Sequence, residues 1–197
     1  MELITFAHQN KKVMWRDLFV TISQLIVASP SAWKDIRKDD TSLNSFINQY
    51  LHPFIGLIAL AAFTGCMWFT THDGGLQSAL KNSIISVAAI YGGFYIVSYL
   101  LHEAASRFGL KDPLSRFQIF TGYASVVVYV LYVFIPFFSD FFILWLLVIY
   151  TFYVVQTGAI YYLKVPTSKR TDFTIFASVL IVLVPTLIKG IFSFLIK

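Results

Sequence analysis

The chain has 197 residues, of which 57% are apolar and only 13% charged, and its mean hydropathy is +0.72. That balance excludes a soluble globular enzyme and points to a single polytopic membrane domain. Fifteen basic residues against ten acidic ones could suit nucleic acid, but the basic residues cluster beside apolar runs. No nucleic-acid partner is therefore expected; the anionic partner is bilayer phospholipid. Cys66 is the only cysteine and lies in an apolar stretch, so neither an internal disulfide nor a thiolate zinc site can form.

The first 50 residues lack the basic start, apolar middle and small-residue cleavage site of a signal peptide, so none is expected to be removed. Over residues 13–28, Trp15, Leu18, Phe19, Ile22, Leu25 and Ile26 recur at helical spacing, with Arg16, Asp17, Ser23 and Gln24 elsewhere on the wheel. The pattern predicts an amphipathic helix lying in the membrane surface. A second helix is expected to start at Ser29 as its cap, with Pro30 in its first turn and Ala32, Trp33 and Ile36 on one face. Trp15 and Trp33 are read as interfacial anchors, and Lys34, Arg37 and Lys38 as contacts to anionic headgroups.

Leu43, Phe46, Ile47, Tyr50 and Leu51 form an apolar stripe leading into Pro53, which can open the first membrane span at residues 53–71. A turn at His72, Asp73, Gly74 and Gly75 precedes span two, residues 80–101. In that span Ala88 and Gly92, and Ala89 and Gly93, stand four apart, a spacing that lets helices approach closely. Gly109 supplies a left-handed stop, after which Asp112 and Pro113 are expected as cap and first turn of span three, residues 114–138. Span four covers 141–163 and span five 173–196, with Pro136 and Pro185 as possible kinks.

The central pair is the clearest signal. Residues 117–139 and 141–163 are each 23 residues without Asp, Glu, Lys or Arg, separated only by Asp140. At about 1.5 Å per residue each makes a helix long enough for a hydrocarbon core of roughly 30 Å. The fold class is thus all-α: five transmembrane helices in residues 53–197, preceded by an amphipathic interfacial segment in residues 1–52. Twelve of the fifteen basic residues fall on one side of this threading, leaving Lys81, Lys189 and Lys197 on the other. The N-terminus is therefore expected in the cytoplasm and the C-terminus outside, with Phe137, Phe138, Phe141, Phe142 and Trp145 as an outer aromatic belt.

Several short motifs, in order, carry a family resemblance. They are Ser29-Pro30-Ser31-Ala32-Trp33-Lys34-Asp35-Ile36, Pro53 opening span one, Gly122-Tyr123-Ala124-Ser125, Ile135-Pro136, Tyr150, Gly158 and Lys164-Val165-Pro166 followed by Lys169. Over residues 18–196 the chain resembles the Ypt-interacting protein (Yip) family, in particular its small prokaryotic members. The resemblance implies a five-helix membrane domain and, in eukaryotic members, association with Rab-type GTPases and shaping or trafficking of Golgi and ER membranes. Eukaryotic members look like Asp-Leu-Tyr-Gly-Pro before span one, whereas this chain reads Gln49-Tyr50-Leu51-His52-Pro53. That departure points to a multi-pass protein of the cell (inner) membrane; the alternative is an ER or Golgi membrane in a eukaryote.

No catalytic constellation, cofactor motif or metal site is legible, and the protein is read as not an enzyme. His8, His52, His72 and His102 are scattered, and His102-Glu103 has no second histidine at zinc-protease spacing. One polar stripe does stand out. Gln118, Gly122, Ser125, Tyr129, Tyr132 and Pro136 recur at intervals of four, three, four, three and four, and Tyr150, Tyr153, Thr157 and Tyr161 make a similar row in span four. A tight turn at 139 and 140 would set Gln118 beside Tyr161, Gly122 beside Thr157 and Tyr129 beside Tyr150. The expected binding residues of this seam are Gln118, Ser125, Tyr129, Tyr150, Thr157 and Tyr161, suited to a lipid headgroup or small solute. Two functions follow: a membrane-organising or partner-recruiting protein acting through its N-terminal segment, or a small transporter or channel built on the seam. Oligomeric state and partner identity are not legible.

Overall fold

In the computed structural model the described residues are 2–69, 75–138 and 143–196, with side chains described from Trp15 onward except at 69–74 and 139–147. Every regular element among them is a helix. The order is α1 (Glu2–Val27), α2 (Ser29–Asp39), α3 (Leu43–Phe46), α4 (His52–Phe69), α5 (Gly75–Ala104), α6 (Leu114–Ala124), α7 (Val126–Phe134), α8 (Ile143–Tyr161) and α9 (Arg170–Leu195). The turn His72 to Gly74, the tip at 139 and 140, and Phe141, Phe142 and Trp145 of the aromatic belt lie outside the described side chains.

Three helical runs are long and apolar enough to cross a membrane: Leu43–Trp68, Gly75–Phe108 and Thr167–Leu195. The pair α6 and α7, bent by 43°, is apolar and long enough for a fourth crossing if the two are counted as one span. In α8 the apolar run with described side chains is the shorter Val148–Tyr161. Trp68, Ile84, Ile149, Leu187 and Phe194 are exposed apolar side chains that the bilayer covers.

Proline and serine chemistry shape these spans. Helix α3 does not stop before Pro53; it runs through a π-helical turn, Ile47–Leu51, into α4, so the expected boundary between residues 52 and 53 falls inside one continuous helix. Pro53 has no N–H and its ring crowds the preceding turn, and the wider turn relieves both problems; the His52 N–H reaches back to the Ile47 carbonyl. Span three, expected to be continuous, breaks at Ser125, whose φ of −79° and ψ of 3° leave the helical region. Its Oγ donates to the Thr121 carbonyl at 2.7 Å, a bond that competes with the backbone ladder.

Gly109 takes φ 75° after α5 and its 3-10 turn, as a left-handed stop requires. Asp112, expected to cap α6, instead pairs with Arg116 at 2.8 Å, and Pro113 occupies the cap position. The small face of α5 meets α9. A Cβ at Gly93 would lie 2.6 Å from Pro185 Cγ, and one at Gly92 would lie 3.1 Å from Ile188. Pro185 sits inside an uninterrupted α9, filling the hollow that Gly93 leaves.

Candidate functional site

The N-terminal helices are joined to the domain along one stripe of α8. The Tyr150 hydroxyl donates to the Ile26 carbonyl at the end of α1. Ser29 Oγ and Thr157 Oγ1 lie 2.7 Å apart, fully buried. Thr157 already donates to its own helix, at 2.9 Å from the Val154 carbonyl, so its single proton is used and Ser29 is the donor between them. Trp33 Nε1 donates to the same Val154 carbonyl at 3.1 Å. Arg37 then donates to the carbonyl of Tyr162, where the negative end of the α8 dipole favours a cation.

These contacts correct one expectation. Ser29 is not the cap of α2; Ala28 holds that position and the serine hydroxyl is spent on Thr157. The segment from Ile26 to Arg37 follows α8 lengthwise, its bonding partners Tyr150 and Tyr162 being about 18 Å apart along that helix. Burying an aligned row of polar partners, where lipid would otherwise leave them unpaired, is the physical reason for docking.

Trp33 is likewise not an interfacial anchor. Its ring is fully buried, stacked on Phe120 at 5.5 Å, edge-on to Tyr123 at 6.2 Å and tilted against Tyr162 at 5.5 Å. Gly158 makes room for it: a Cβ there would stand 2.7 Å from two indole carbons. Trp15 is half-buried and packs on the core. Lys34 lies 4.8 Å above the Tyr161 ring. Lys38 is exposed, as are Asp35, Asp39 and Asp40, so the outward side of α2 and its end is a row of mixed charges.

The seam expected between spans three and four is divided. Its α8 half, Tyr150, Thr157 and Tyr161, faces α1 and α2. Its other half faces α3 and α4: a Cβ at Gly122 would collide with the Phe46 ring, and Tyr129 meets Phe54 edge-on at 5.3 Å. Gln118 is half-buried, and Tyr132 lies under Lys189 at 5.0 Å. The pairings of Gly122 with Thr157 and of Tyr129 with Tyr150 are therefore corrected; the break at Ser125 and the docking of α2 redirect both faces. Spacing could not reveal Tyr50, whose ring lies 4.6 Å from Tyr123. The hydroxyls of Tyr50 and Tyr129 are both buried with no hydrogen-bond partner.

Residues 24–188 match the family model described as the Yip1 domain. Comparisons with curated proteins and with solved structures give no match. The matched stretch takes in Ile26, Ser29, Trp33 and Arg37 together with their partners on α8, so the docked helix is part of the family domain and not an appendage to it. With most of its length inside that domain and its apolar helices built to cross a bilayer, this chain belongs to the Yip1-domain family of membrane proteins.

Proposed function

We propose that this is a non-enzymatic membrane protein with five spans, α8 being the fifth crossing helix, whose cytoplasmic N-terminal segment recruits a protein partner to the membrane. The single observation that carries the reading is the docking of α2. Ser29, Trp33 and Arg37 bind it to α8, with Lys34 over the Tyr161 ring, while Asp35, Lys38 and Asp39 are exposed. A rigid charged row on a membrane-anchored body suits recognition of a folded partner, because mixed signs select register and orientation more than raw affinity. The excess of basic residues beside the spans supports a cytoplasmic placement. The resemblance to small prokaryotic Yip proteins supports the cell membrane as its location.

The test uses full-length protein in nanodiscs as bait, with wild type compared against the triple variant Asp35→Lys, Lys38→Glu, Asp39→Lys. A partner that is retained by wild type, and lost by the variant while its fold is unchanged, supports recruitment. Equal capture by both, or saturable flux of a solute through the reconstituted protein, refutes it in favour of transport.

A further inference from the structure

A groove on the outer surface of the domain changes polarity along its length. It lies between the first span and α5, which run antiparallel: the His52 ring is 6.0 Å from that of Tyr91, and Ser83 Oγ donates to the Ala59 carbonyl at 2.9 Å. Beside the π-helical turn Ile47–Leu51 its floor is aromatic, with Phe46 stacked on Phe94 at 6.3 Å and both rings buried. Asn48 and His52 form one wall and are exposed. Tyr91 and Tyr95 form the other, their rings 6.4 Å apart and within 10° of parallel. None of these four side chains has a hydrogen-bond partner among the described residues. One turn past His52 the wall drops away at Gly56, where a Cβ would meet nothing within 4 Å, and the next exposed side chain on that face is Leu60.

Depth decides what such a groove can hold. Trp68, 78% exposed near the far end of the span, suits one edge of the hydrocarbon. His52 stands sixteen residues before it, about 24 Å along the helix. Across a core of roughly 30 Å, His52 falls about 6 Å inside the opposite edge, and Asn48, one turn on, falls at that edge. An amide, an imidazole and phenols left facing hydrocarbon without partners are costly, so the occupant must bond them there and be apolar at Gly56. A phospholipid has that order along its length: phosphate and ester oxygens at the edge of the core, acyl chains beyond. A partner helix fits poorly, because close approach needs small residues four apart and the residues four either side of Gly56 are His52 and Leu60. Residues 43–68 and 82–102 contain no Asp, Glu, Lys or Arg, so the groove does not select for headgroup charge.

We propose that this groove binds one glycerophospholipid of the leaflet on the Gly109 side. Asn48, His52 and Tyr95 donate to its phosphate and ester oxygens, and an acyl chain lies over Gly56. The site is independent of the charged row on α2.

The experiment is native mass spectrometry of the full chain released from nanodiscs of mixed phosphatidylcholine and phosphatidylglycerol. Wild type is expected to keep one phospholipid, of either headgroup, under activation that strips the rest. The double variant Asn48→Leu, His52→Leu is expected to retain about tenfold less, as the loss of two hydrogen bonds implies. Gly56→Leu fills the notch without changing a polar group and is expected to lower retention as well. Melting in detergent separates binding from folding: added phospholipid is expected to raise the melting temperature of wild type and to leave that of the variants unmoved. Equal retention by wild type and both variants would mean ordinary surrounding lipid and would overturn the proposal. A dimer in wild type that the variants lose would place a second copy in the groove and refute it too.

Discussion

Replacing Gly158 with alanine tests the docking of α2 at its tightest point. The new methyl would stand 2.7 Å from Trp33 Cε2 and Cζ2 and 2.8 Å from Phe120 Cε2. Ordinary carbon contacts need about 3.5–4.0 Å, so the indole has to retreat by roughly 1 Å. It has nowhere to go, being enclosed by Phe120, Tyr123 and Tyr162 and tied through Nε1 to the Val154 carbonyl, one turn back on the same helix. Overpacking of this kind costs about 1–3 kcal/mol, against which alanine returns up to about 1 kcal/mol of helix propensity. A net loss of about 1–2 kcal/mol is expected, a fall of about 2–8 °C in melting temperature for a chain of this size. Gly56→Ala is the control: it lies within α4 with nothing within 4 Å of its Cβ position, so only the propensity gain remains. Both variants are read by thermal unfolding of purified protein in detergent. Trp33→Phe, which shrinks the ring, is then expected to cost less in the Gly158→Ala background than in wild type. Gly158→Ala melting at or above the wild-type temperature, with no coupling to position 33, would refute the packing argument.

Gly93→Val is expected to push α9 away from α5, since even a Cβ there meets Pro185 Cγ at 2.6 Å; the melting temperature falls, and Pro185→Ala recovers part of the loss. Arg37→Ala removes the bond to the Tyr162 carbonyl, a loss of about 1 kcal/mol, and loosens α2. A cysteine placed at Ala32, where the native side chain is 3% exposed, is expected to label several-fold faster with a soluble maleimide in that variant; equal rates would mean Arg37 does not hold the helix. An alkaline phosphatase fusion after Lys197 is expected to be active and one after Lys169 inactive, because twelve of the fifteen basic residues lie on one side of the threading. The opposite pattern would reverse the topology.

The sequence by itself determined the class of molecule, because charge-free runs as long as 117–139 have no stable place outside a bilayer. It also located punctuation that depends on one residue's own backbone, such as Gly109 at φ 75°, and the small face of α5 that meets α9. The ordered motifs pointed to the family that the match over residues 24–188 then showed. Partner choice was a different matter. Spacing reports which residues share a face of a helix, and Gln118 to Tyr132 and Tyr150 to Tyr161 do form stripes, but it does not say which helix each stripe meets. In a bilayer, apolar residues facing lipid and those facing protein read alike, so burial leaves little trace in the pattern. Shape and hydrogen bonding decided it. Phe46 fits over Gly122, Trp33 fits over Gly158, and Ser29 finds Thr157 across 128 positions of chain. The break at Ser125 and the π-turn before Pro53 re-aimed those faces. At Ser125 the hydroxyl shares the Thr121 carbonyl with the backbone N–H, and at the π-turn the His52 N–H is rerouted to Ile47; both are local events, and the spacing of residues does not say which neighbouring helix the turned face will meet.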